Sequence, residues 1–159
     1  MSLETIIIAS TITSAVGSIQ AGQAAAAAGQ YQNTVAQQNA QIYEQKAEQS
    51  KKIGEYNLDR FNRDFNKTLA STERAYFASG VDVTRGTPIS VLRDYMYEAE
   101  LERANIKYNA EVQATDYRES ALISRMEGNL ALYQGKQAQT ASYFKAGTTL
   151  LGGAEKLMV

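Results

Sequence analysis

The sequence predicts an all-α protein, a long antiparallel α-helical hairpin with one central turn at about residues 79–88, assembling with copies of itself into a homo-oligomeric ring or bundle. Three observations carry this expectation. The chain has one Pro in 159 residues, against about 5% in ordinary chains, and Pro is what normally ends helices and shapes loops. Apolar residues recur at helical spacing on both sides of a single short stretch. That stretch, ASGVDVTRGTPISVL at residues 78–92, holds the only Pro and two Gly.

The first helix is expected to run from about residue 4 to residue 78. At 1.5 Å per residue it would span on the order of 110 Å. An arm of that length cannot cover itself as a compact globule and needs apolar cover from other subunits. In its charged part, Ile53, Tyr56, Phe61, Phe65, Leu69, Thr72 and Tyr76 mostly follow three- or four-residue steps and predict one buried face. Lys51, Lys52, Asp59, Arg60, Arg63, Asp64 and Lys67 lie between them as a solvated face of mixed sign.

The turn has local reasons. Gly80 is able to take the left-handed conformation that closes a helix, and Val81, Val83 and Thr84 favour extended backbone. The first helix therefore ends near Ser79. Thr87 followed by Pro88 is a start signal, since Thr caps an orphan backbone donor and Pro at the first helical position loses no hydrogen bond. The second helix then carries Leu92, Tyr95 or Met96, Ala99, Ile106, Ala110, Ala114, Tyr117, Ala121, Gly128 and Leu132 on one face. The many small residues in that stripe permit close helix approach, and Ile106, Tyr117 and Gly128 follow an 11-residue repeat.

The chain reads as a single elongated unit with five segments: an Ala/Gly/Gln-rich segment at 1–43, uncharged from residue 5; a charged amphipathic helix at 44–78; the turn at 79–88; a charged helix at 89–127; and a small-residue C-terminal segment at 128–159. Residues 5–29, TIIIASTITSAVGSIQAGQAAAAAG, approach the ~20 residues that cross a bilayer core. Ser, Thr and Gln interrupt the run, so it is expected to pack against protein, with membrane insertion as a conditional second state. The residues assigned to packing or membrane contact are Ile6, Ile7, Ile8, Ile12, Val16, Gly17, Ile19, Ala21, Gly22, Ala26 and Gly29. Gly17 to Ala21 and Gly22 to Ala26 are four-residue small pairs, and Gly22 to Gly29 is one heptad. The expected partner is residues 138–159, also rich in small side chains. The run does not read as a signal peptide, because no Lys or Arg precedes it and Glu4 sits where the positive region belongs.

Composition argues against most catalytic classes. With no His and no Cys there is no Ser-His-Asp or Cys-His nucleophile system, no usual zinc ligand set and no disulfide framework. No catalytic residue, cofactor or metal is expected. Sixteen Lys and Arg against 17 Asp and Glu give no general basic excess for phosphate binding, so DNA contact is limited to passage or weak local contact. Glu98, Glu100 and Glu102 stand two apart, point about 200° apart around a helix, and do not converge on a ligand. They read as a solvated face favoured by the nearby helix N-terminus. The ten Tyr are spread along both helices without a basic cluster and are expected in core or interface packing. Lys51-Lys52 and Arg60 with Arg63 read as salt-bridged surface beside Glu55, Asp59 and Asp64.

The motif ERAYFASGVDVTRGTPISVLRDYMYEAELERANIKYNAEVQATDYR, residues 73–118, resembles a pattern found in small internal virion proteins of short-tailed phages. That pattern is a "Y-ASGVDV-GTP-VL" turn followed by an acidic "E-ELD-L-I-YN" helix and an "A-YR-QA" continuation. The resemblance covers the middle third of the chain, and the flanks match in character only. It implies a core or ejection protein stored inside the capsid near the portal and released through the tail at infection. The smallest member of such sets would help form an outer-membrane conduit for the genome in the host envelope. The implied partners are copies of the chain, the portal, other internal virion proteins and the host outer membrane. No catalytic residue is carried over, because peptidoglycan cleavage in such phages belongs to a larger partner. Gly80, Val81, Asp82, Val83, Gly86, Thr87 and Pro88 are carried over as a turn-forming and interface element. Two other readings stand beside this one: a structural virion protein, such as a tail or portal adaptor or scaffold component, and an unrelated helical adaptor.

Overall fold

The computed structural model describes the backbone of residues 3–80 and 86–155, and side chains over 12–80 and 86–152. Two helices account for nearly all of the described residues: α1, Leu3–Ala78, with 76 residues, and α2, Thr87–Glu155, with 69. They pack against each other as an antiparallel hairpin, and no strand occurs among the described residues.

The turn follows from its glycines. The Ser79 N–H donates to the carbonyls of Ala75 and Tyr76 at 3.1 Å, and the Gly80 N–H donates to Phe77 at 3.1 Å. These bonds satisfy part of the orphan carbonyl set that every helix end leaves. Gly80 then takes φ +73° and Gly86 takes φ +70°, a conformation that L side chains resist. The helix start at Thr87 and the first-turn position of Pro88 agree with the sequence signal. Val81, Asp82 and Val83 lie outside the described residues.

Hydroxyls of the uncharged segment find their partners within the helix. Ser18 and Thr34 each donate to the carbonyl four residues back at 3.0 Å. Thr140 and Thr149 do the same near the end of α2, to Lys136 at 3.0 Å and Lys145 at 2.8 Å. Such back-bonding leaves a hydroxyl-bearing surface with no polar demand on a neighbour.

Contacts group the chain into two compact units. One comprises Met1–Ile42 with Ser120–Val159, and the other Tyr43–Glu119. The first takes in the uncharged stretch of α1, and the second holds the charge-dense parts of both helices.

Candidate functional site

In the Met1–Ile42 and Ser120–Val159 unit, the buried seam is built from residues with almost no side chain. Ala15, Gly22, Gly29 and Ala40 are buried on α1; Ala121, Gly128, Gly135 and Ala146 are buried on α2. The steps between them are seven or 11 residues, and either step returns a residue to the same face of a helix. Gly22 meets Ser142, Gly29 meets Gly135, and Gly128 meets Ala36. Each seven-residue advance along α1 is thus matched by a seven-residue retreat along α2.

The approach is close enough to need glycine. A Cβ added at Gly29 would stand 2.6 Å from the Ala131 carbonyl oxygen. One added at Gly135 would stand 2.8 Å from the Ala25 carbonyl oxygen and 3.3 Å from the Ala26 Cα. At Gly128 the obstacles are the Ala36 methyl at 2.7 Å and the Asn33 side-chain oxygen at 2.8 Å. Backbone-to-backbone contact of this kind holds helices by dispersion and not by bulk hydrophobic burial.

The structure sorts the residues assigned to packing or membrane contact. Gly22, Ala26 and Gly29 lie in the seam, with Gly22 and Gly29 buried and Ala26 half-buried. Ile19 is half-buried. Gly17 and Ala21 are exposed, and a Cβ at Gly17 would meet nothing within 4 Å. Ile12 and Val16 are about half exposed, at 50% and 48%. Ile6, Ile7 and Ile8 belong to the helical span of α1, but their side chains lie outside the described residues. Among the described residues no helix is long and apolar enough to cross a membrane.

The Tyr43–Glu119 unit is held differently. Ala47, Ser50, Gly54 and Phe65 are buried on α1, with Ala99 and Ala114 on α2. Gly54 lies against the Ala110 methyl. Toward the turn the seam becomes aromatic: Phe65 stacks on Tyr95 with ring centroids 5.3 Å apart and on Phe61 at 6.2 Å. The Arg103 guanidinium lies 5.1 Å from the Phe65 ring centre, and its Nε donates to the Asn62 side-chain oxygen at 2.7 Å. Glu111 receives Lys51 at 3.3 Å and Arg118 at 3.7 Å.

Two expectations for this unit need correction. Ile53 and Tyr56 were expected on the buried face but are 53% and 62% exposed; Gly54, between them, holds the seam because only a small residue fits it. Lys51 and Arg60 are salt-bridged as expected, Lys51 to Glu111 on α2 at 3.3 Å and Arg60 to Asp64 at 3.9 Å. Glu98, Glu100 and Glu102 are exposed as expected, but α2 begins at Thr87 with no acid in its first turn, so they lie beyond the reach of the helix dipole. Across both units most Tyr are exposed, with Tyr31 at 72% and Tyr108 at 69%, which leaves them outside the core of the hairpin. Among the described residues no three His, Cys, Asp or Glu come together as a metal site.

The first unit also carries a feature that the inner stripe of α2 obscures in the sequence. Ile123, Leu130, Gln137, Phe144 and Leu151 recur every seven residues, with Met126, Tyr133, Thr140 and Gly147 three residues after each of the first four. This is a complete a/d heptad pattern, and it lies on the side of α2 away from the buried Gly128 and Gly135. Its large side chains are 55–73% exposed. Reading α2 for a second seven-residue period, after assigning the first, would have found it.

The fold and these surfaces define a two-helix hairpin with a small-residue inner seam and an uncovered apolar stripe. No known family, curated protein or solved structure matches the chain.

Proposed function

We propose that this chain is an internal core or ejection protein of a phage virion, stored inside the capsid near the portal and released into the host envelope at infection, where it helps form a channel for genome delivery. The observation that carries the reading is the central motif at residues 73–118, which resembles the short-tailed phage pattern and brackets the single turn of the hairpin. The hairpin supports it, because a pore component is built from repeated copies around an axis. The unit with the uncharged stretch of α1 supports it as well, since that stretch presents no charge to an apolar environment. The absence of Cys leaves no dependence on redox state during passage through the host cell. Partners in this reading are further copies, the portal or other internal virion proteins, the host outer membrane, and genome DNA in passage.

A second reading, a structural virion protein such as a tail or portal adaptor or scaffold component, is favoured by one observation: no helix among the described residues is apolar enough to cross a membrane. One experiment separates the two. Ala24 and Ala28 are exposed on α1, whereas Ala15 is buried at 3% and Ala26 is half-buried in the seam. Lys at Ala24 and Ala28 therefore adds charge without opening the hairpin. Particles carrying A24K/A28K should assemble normally, retain the protein and fail to deliver DNA. Normal delivery, or equal loss of assembly, would sink the channel reading.

A further inference from the structure

We propose that the outer stripe of α2 is a self-recognition surface: two copies of this chain pair antiparallel along Ile123–Leu151, with Gln137 of each copy beside Thr140 of the other. The inference goes beyond the delivery role and rests on the surface of one unit alone.

The first argument is size. Ile123, Met126, Leu130, Tyr133, Phe144 and Leu151 are 55%, 62%, 55%, 58%, 73% and 71% exposed. Together they leave roughly 800 Å² of residue surface open, enough that covering most of it would approach the share each partner gives to a standard stable interface.

The second argument is that the stripe complements itself about its own centre. Its two polar members, Gln137 and Thr140, are adjacent in the middle. Antiparallel helices place an a position of one copy against a d position of the other. With Gln137 set against the partner's Thr140, the next layer outward puts Tyr133 against the partner's Phe144, an aromatic pair. Beyond it Leu130 falls against the partner's Gly147, and Met126 against the partner's Leu151. The Leu130 layer decides the direction. Gly147 is exposed, and a Cβ there would meet nothing within 4 Å, so the glycine leaves a hollow sized for an incoming side chain. Parallel pairing would put Gly147 against the partner's Gly147 and leave that layer empty.

The flank agrees with this direction. Lys136 and Tyr143 border the stripe on the same side. The antiparallel arrangement brings each Lys136 over the partner's Tyr143, a cation–π contact made twice by the two-fold axis. The centre sets the register, since a slip of one heptad sets Thr140 against the partner's Phe144 or Leu130 in place of Gln137.

Sedimentation equilibrium of the purified full-length chain tests this, with circular dichroism checking that the hairpin persists. The wild type is expected to be a dimer at micromolar concentration. Y133K and F144E, each placing an unpaired charge in an apolar layer, should dissociate on the order of 100-fold more readily. The double variant Y133K/F144E should dimerise again, because antiparallel pairing sets each introduced ammonium beside an introduced carboxylate. G147L should weaken pairing while leaving thermal unfolding of the hairpin unchanged or improved. A monomeric wild type, single variants that pair like the wild type, or a double variant no tighter than the single ones would overturn the proposal. So would a monomeric wild type that binds phosphatidylcholine vesicles through this stripe, which would make lipid the occupant.

Discussion

Gly29 and Gly135 face each other across the hairpin so closely that a Cβ added to Gly29 would stand 3.2 Å from the Gly135 Cα, and one added to Gly135 would stand 3.3 Å from the Gly29 Cα. Neither glycine is there for backbone freedom, since both lie inside regular helix. They are there because two main chains need the space.

Gly29→Ala and Gly135→Ala should each destabilise the hairpin by about 1–3 kcal/mol, because backbone carbonyls block the new methyl and cannot rotate away. Gly17→Ala, at a helical position with nothing within 4 Å, should stabilise it by about 1 kcal/mol through helix propensity. Urea unfolding followed by circular dichroism reads both, and equal effects at the three positions would contradict the packing described.

Gly54 and Ala110 form the corresponding contact in the charged unit, where the obstacle is a methyl and not a main chain. Gly54→Ala should therefore destabilise, and the swap Gly54→Ala with Ala110→Gly should recover part of the loss. A coupling on the order of 1 kcal/mol in the double-mutant cycle is expected; strict additivity would place the two residues out of contact.

Arg103 combines a hydrogen bond to Asn62 at 2.7 Å with stacking on Phe65 and Phe61, at 5.1 and 5.9 Å from the ring centres. Arg103→Ala should cost about 1–2 kcal/mol. Arg103→Lys should recover little of it, because an ammonium does not reproduce the planar stack. Thermal unfolding of the two variants decides this: a lysine variant that melts like the wild type would show that charge alone matters.

Gly80 carries φ +73° with open space around it. Gly80→Ala should cost about 1–2 kcal/mol from backbone strain alone, while Gly80→Asn should cost less because Asn tolerates the left-handed region. Melting temperatures should rank wild type, Asn, Ala, and a reversed order of Asn and Ala would rule out strain as the cause.

The hairpin was legible because its one interruption brings the only Pro, Pro88, together with Gly80 and Gly86 and a run of β-branched residues. The inner face of α2 was legible as well, with Ala99, Ala114, Ala121 and Gly128 all buried. On α1 the same reading put Ile53 and Tyr56 inside because it weighed hydrophobic bulk, whereas the seam selects for smallness and takes Ala47, Ser50 and Gly54. Local pairs of small residues mislead for a related reason. Gly17 with Ala21 and Gly22 with Ala26 look alike in sequence, but helical phase puts only the second pair against α2. The outer stripe of α2 was hidden because one helix carries two apolar stripes, and only the inner one, with its 11-residue repeat, was read.

A seam of repeated rungs also sets how the hairpin keeps its alignment. Sliding α2 by one rung would trade Gly135 for Gly128 opposite Gly29, glycine for glycine, but it would also set Ala121 against Ala36, where a Cβ in place of Gly128 would stand 2.7 Å from the Ala36 methyl. Alignment in this unit is therefore decided where a glycine faces a methyl and not where it faces another glycine. The glycine ladder works as a rail, and the Gly128–Ala36 rung works as its stop.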